Sequence, residues 1–237
     1  KRRGALVRPQ EPTGRRRSGH LRRPWACSAW AWDRRASAEL AARGLIEDGV
    51  ENSEPLVDTN EGVGLVPYDP GWPREFEAER ERIARVLGNI AIRIDQVGST
   101  SVPGLSAKPV IDIQISVARL HPMDTYTPAL AELGYTHVPS PGDSFAPFFH
   151  RPRERPHTHH IHVVEARGDE ERRTLAFRDY LRDHEWARRE YEELERQCAW
   201  QFSEATAEGR EAYAQAKGEF SRQIVETAVA EGYPRGM

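Results

Sequence analysis

The sequence predicts an α+β fold: a mixed β-sheet flanked by helices, followed by a helical C-terminal part. Three observations carry this. Apolar runs of strand length recur between residues 92 and 165, an amphipathic helix pattern precedes them, and the chain reads as helical from Asp169 onward. No internal repeat interrupts that order.

Taken in sequence, GLVPYD (Gly64–Asp69) reads as a short strand ended by Pro70-Gly71. Trp72 to Leu87 follows as an amphipathic helix, with Trp72, Phe76, Ile83, Val86 and Leu87 on one face. Pro73 suits its first turn and Gly88 its end. IRIDQV (Ile92–Val97) is the next strand, and Gly98-Ser99-Thr100-Ser101 a turn of small residues after it. In VIDIQISV (Val110–Val117), Ile111, Ile113, Ile115 and Val117 point one way, and Asp112, Gln114 and Ser116 the other. Asp124–Leu133 is predicted helical, closed by Gly134. Tyr135–Val138 and Phe145–Arg151 are weaker strands around a Pro/Gly/Ser loop. HHIHVVE (His159–Glu165) is a strand in which His160, His162 and Val164 share a face. The helical remainder breaks near Asp183–Glu185, and its last helix runs from Gly209 to Ala230.

Residues 1–62 read as a basic, disordered tail and an acidic linker, and residues 63–232 as one folded domain. Residues 1–35 hold eleven Lys or Arg against two acids, a local charge of +9 in a chain of net charge −3. A short helical reading around Ala36–Gly49 is the one packed element expected there. The apolar run with Trp25, Trp30 and Trp32 is too short and bulky for an export signal or a membrane span. With only Cys27 and Cys198, in no metal or redox spacing, a reduced cytoplasmic setting is expected. The basic tail is the only feature suited to nucleic acid; no membrane partner is expected.

The segments VPYDPGWPREFEAE, VGSTSVPGLSAKPVIDIQI, HHIHVV, LAFRDYLR and YAQAKGEF, in that order, resemble the GrpB family. That family is regarded as part of the nucleotidyltransferase superfamily, and the resemblance covers about Val63 to Ala230. It implies a sheet of the nucleotidyltransferase type. The superfamily pattern is a Gly-Ser turn after a strand, then Asp-hydrophobic-Asp/Glu on the next strand. Gly98 and Ser99 match the turn and Asp112 the first carboxylate; Gln114 stands at the second. The resemblance implies a nucleotide or phosphorylated small molecule held by Gly98, Ser99, Thr100, Ser101, Lys108, His160, Arg178 and Lys217. It also implies a divalent cation, Mg²⁺ or Mn²⁺, at Asp112 and Gln114, with Asp112 and His162 catalytic. Gln114 offers a neutral carbonyl where a transferase carries charge.

Other readings stand beside these. The turn can be an ordinary connection, its glycines supplying backbone freedom. Arg178 and Asp179 can form a salt bridge within their helix, and Tyr213 and Lys217, at i and i+4, can be packing neighbours. Where relatives tend to have Lys, this chain has Glu195. Two functions follow: a nucleotidyltransferase-like enzyme, or a non-catalytic ligand- or partner-binding module that has lost its second metal carboxylate.

Overall fold

The computed structural model describes residues 64–201 and 206–235, so the tail readings and the helix at 36–49 lie outside the described residues. Ten elements follow one another: α1 (Trp72–Leu87), β1 (Ala91–Val97), β2 (Ile111–Val117), α2 (Thr127–Glu132), β3 (Thr136–Val138), β4 (Phe148–Arg151), β5 (His159–Glu165), α3 (Asp169–Asp183), α4 (Glu185–Gln201) and α5 (Ala207–Ala230). The strands form one mixed sheet in the order β1-β2-β5-β4-β3. β2 and β5 run parallel, and the other neighbours are antiparallel. This is the predicted α+β class.

The alternation of β2 sorts the molecule into two layers. Ile111, Ile113, Ile115 and Val117 face a core with Trp72, Phe76, Ile83 and Leu87 of α1 and Leu130 of α2. Fully burying each such aliphatic side chain contributes about 1.5–3 kcal/mol. On the other side α3, α4 and α5 build a second core from Phe177, Tyr180, Leu181, Tyr191, Ile224 and Val225, joined by Val102 and Leu105. Parallel pairing of β2 with β5 needs a long crossover, and residues 118–158 supply it with α2, β3 and β4.

Three predicted elements are shorter than their patterns, each for a proline-related reason. In Gly64–Asp69 only Val66 pairs, exchanging two hydrogen bonds with Ala107 (2.9 and 3.0 Å); Pro67 has no N–H to extend the ladder. The helix expected at Asp124–Leu133 begins only at Thr127, after a separate turn at Met123–Thr125. Pro128 has no N–H to continue an i→i−4 ladder from farther upstream, and it is tolerated only in the first turn, where the helix starts. In the expected strand Phe145–Arg151, pairing starts at Phe148, after Pro147 and the capped turn Pro141–Ser144.

One buried ionic cluster ties α1 to the far side of the sheet. Glu79 is 3% exposed and receives both guanidinium nitrogens of Arg151 (3.0 and 3.1 Å), Arg82 (2.6 Å) and the Tyr135 hydroxyl (3.0 Å). Burial alone would raise its carboxyl, but Arg151, Arg82 and Tyr135 hold it below the ordinary 4.5. Arg151→Leu removes the bidentate partner and leaves only Arg82 and Tyr135 on the buried carboxylate, so it is expected to destabilise the fold by about 2–3 kcal/mol in urea unfolding at neutral pH. The stabilisation of a lowered carboxyl is present above its unfolded value and is lost as pH falls through the folded one. The difference between wild type and variant should therefore shrink on acidification below about 4.5.

Candidate functional site

The turn after β1 is built so that a glycine must open it. Gly98 has φ +69°, and a Cβ there would lie 2.2 Å from Asp112 Oδ2 and 2.8 Å from its Cγ. The Asp112 carboxylate thus rests directly on the Gly98 backbone. Inside the turn the Ser101 N–H and hydroxyl both donate to Gly98 O (3.1 and 2.5 Å). The Thr100 hydroxyl donates to Val110 O (3.0 Å). Thr100 and Ser101 are buried, and these bonds turn their hydroxyls to the protein rather than to a ligand. Of the four turn residues, the structure brings Gly98 and Ser99 to the wall of a cavity.

Register places Asp112 opposite His160, and Gln114 opposite His162, on adjacent parallel strands. His160 Nδ1 lies 3.1 Å from Asp112 Oδ1, and His160 Nε2 lies 3.2 Å from His157 Nδ1. A carboxylate accepts only, so Nδ1 of His160 carries its proton; a neutral His160 then accepts at Nε2 from His157. His150 stacks on His157 at 3.9 Å between ring centroids. The result is a row running from the glycine turn through three imidazoles. His162 packs on Phe148, and burial pushes its imidazole down to about 4, so it is neutral at physiological pH.

Gln114 is 0% exposed, and neither its amide oxygen nor its nitrogen has a hydrogen-bond partner. Asp112 is the one carboxylate on this stretch of β2, and it is engaged by His160. Among the described residues no three His, Cys, Asp or Glu side chains are grouped to hold a metal ion. Asp112 with the neutral Gln114 amide supplies one carboxylate, not the pair a two-metal Mg²⁺ or Mn²⁺ site uses.

The cavity has a volume of about 240 Å³ and lies between the sheet and the C-terminal helices. The sheet contributes Gly98, Ser99, Asp112 and His162; α3 contributes Glu170, Arg173 and Phe177, α4 Tyr191, and α5 Lys217 and Arg222. Lys217 donates to Glu195 Oε1 (2.7 Å), which also accepts from the Ser99 hydroxyl (3.1 Å). Arg222 is ion-paired with Glu219. Burial pushes the Glu170 carboxyl up. Lys108 is not among the residues that line the cavity, and its ammonium is pushed down to about 6, first by burial and then by Lys217.

Arg178 is not brought to the cavity. It binds Asp179 (2.7 Å), Gln96 O (3.0 Å) and Asp95 (3.5 Å), clamping α3 to β1, which is nearer the helix salt bridge than the ligand contact. The side chain of Tyr213 lies outside the described residues. Sequence reasoning missed Glu170, Arg173 and Arg222. Glu170, Arg173, Thr174 and Phe177 stand at i, i+3, i+4 and i+7, a legible helical face. Nothing in that spacing says that the face opposes Asp112.

A model of the family described as GrpB protein matches residues 62–227. The chain belongs to the GrpB family. Among GrpB relatives, it is 39% identical over 174 residues to UPF0157 protein BH1888 of Halalkalibacterium halodurans, covering 72% of this chain and 85% of that protein. It is 34% identical over 149 residues to the glutamate-rich protein GrpB of Alkalihalophilus pseudofirmus, covering 61% of this chain and 86% of the relative. The crystal structure of conserved protein GrpB from Enterococcus faecalis superposes with a TM-score of 0.61 at 29% identity, covering 70% of this chain and 98% of that one. The GrpB fold so matched includes the sheet and helices that wall the cavity.

Two measurements follow from this geometry. Gly98→Ala combines a positive φ with a clash on Asp112, so it is expected to cost more than about 1 kcal/mol and to lower the melting temperature. Burial also holds His159 down to about 4, like His162, against 6.5 for a free imidazole. Between those values the unfolded chain binds more protons than the native one. This contribution is complete above about 6.5 and is lost as pH falls toward 4. Urea midpoints recorded from neutrality to about pH 5 should fall, and His162→Gln should flatten the fall.

Proposed function

We propose that this GrpB-family protein binds a nucleotide or another phosphorylated small molecule in the cavity between the Gly98 turn and α5. The observation that carries the reading is one of convergence. A glycine-opened turn from the sheet and three cations from two helices, Arg173, Lys217 and Arg222, line the same cavity. Free main-chain N–H groups in such a turn suit phosphate oxygens, and Lys and Arg supply charge-assisted bonds. Phe177 and Tyr191 give the same space apolar faces for the rest of a ligand.

If the ligand reacts, Asp112, which lines the cavity and is oriented by His160, is the group that would take a proton from an attacking hydroxyl. That is the nucleotidyl-transfer form of the proposal, and no step of it is routed through a metal ion. A binding module without chemistry is the second reading, motivated by the sealed Gln114 amide at the position of a transferase's second carboxylate.

Calorimetry with nucleoside mono- and triphosphates, with and without Mg²⁺ or Mn²⁺, tests the binding. Wild type is expected to bind, and Lys217→Met to weaken binding by about tenfold or more. Absence of binding across the panel, or affinity unchanged in Lys217→Met, overturns the proposal. Turnover that disappears in Asp112→Asn would assign the transferase form; binding without turnover assigns the module.

A further inference from the structure

Glu195 lies behind the cavity wall, bonded to two residues that line it, Ser99 and Lys217. It is 3% exposed, and one oxygen, Oε1, takes both the Ser99 hydroxyl and the Lys217 ammonium. Both donors belong to residues that line the cavity. The other oxygen, Oε2, is buried and makes no hydrogen bond. A buried charged acceptor left unfilled forfeits its solvation without a replacing hydrogen bond. Glu79, by contrast, has both oxygens satisfied, by Arg151 and Arg82. Glu195 instead faces two donors through one atom, as a single phosphate oxygen would.

The surrounding charge points the same way. Of the three cavity cations, Lys217 is neutralised by Glu195 and Arg222 by Glu219, while Asp112 and Glu170 add carboxyl groups to the same wall. Lys108, the remaining lysine in range, is pushed down to about 6. This wall is poorly suited to a polyanion.

We propose that Glu195 is a built-in anion that occupies the phosphate seat formed by Ser99 and Lys217 and so restricts the cavity to ligands of low negative charge. The ligand class is a phosphate mono- or diester rather than a triphosphate. The inference rests on the phosphate-binding reading above. Like charges held a few ångströms apart repel more strongly at the effective dielectric of a protein than in water. Each added phosphate therefore meets a rising cost at Glu195.

The test is a titration of wild type and Glu195→Gln with adenosine, its monophosphate and its triphosphate, without divalent cation. Wild type is expected to bind the monophosphate at least as tightly as the triphosphate. Glu195→Gln should tighten the monophosphate by about tenfold and the triphosphate by more, leaving adenosine unchanged. Glu195→Asp keeps the charge and should keep the wild-type ranking. Wild type that prefers the triphosphate by more than about tenfold overturns the inference without reference to any variant. So does a Glu195→Gln variant whose three affinities stay the same or change together. If neither protein binds either phosphate, the phosphate-binding reading itself fails and this inference with it.

Discussion

Strand β2 is covered on both faces, and the placement of every other element depends on that. Its isoleucines are buried against α1 and α2, so its polar positions are driven to the opposite face, beneath α3, α4 and α5. A strand of strict period two cannot bury one set of residues without aiming the other set. The aim brings Asp112 onto Gly98, which then has to be a glycine because no Cβ fits below the carboxylate. Parallel pairing with β5 brings the histidines of HHIHVVE level with Asp112 and Gln114. Packing of one hydrophobic face thereby determines the geometry of a polar one.

The polar face is uneven in how well it is satisfied. Asp112 and His160 hold each other, Thr100 and Ser101 are tied to main-chain oxygens, and Arg178 clamps α3 to β1. Gln114 has no partner for either amide atom, and Glu195 has one bare oxygen. Fully bonded groups define the frame of a site, whereas buried unsatisfied groups are costly and rarely retained without a reason. Ser116, Thr127 and Glu171 also hold a buried atom without a hydrogen-bond partner, so the shortfall is not confined to the candidate site.

Much of the fold was legible because burial leaves a periodic trace. The α1 stripe, the alternation of β2 and the face shared by His160 and His162 all appear in the structure as read. The sequence reading overran where proline sets a boundary that periodicity does not record: Pro67, Pro128 and Pro147 each shorten an apolar pattern. In the site, Gly98, Ser99, Asp112, His162 and Lys217 reach one cavity, while Thr100, Ser101, Lys108, Gln114, His160 and Arg178 are not among the residues that line it. A hydroxyl or a guanidinium can turn to the protein or to a ligand at equal sequence spacing, and only the neighbouring acceptors decide which.

The sequence by itself determined the α+β class, the order of elements, the face on which Asp112 and Gln114 lie, and the family. Each of these is local or periodic, set by alternation, caps and a contiguous turn-strand motif. The tertiary structure alone decided that α3 and α5 carry Glu170, Arg173 and Arg222 to the glycine turn. It also decided that Glu195, ninety-six residues from Ser99, accepts from that hydroxyl and from Lys217 through one oxygen. Such pairings arise from how helices pack across a sheet face, where contact depends on crossing geometry rather than on separation along the chain.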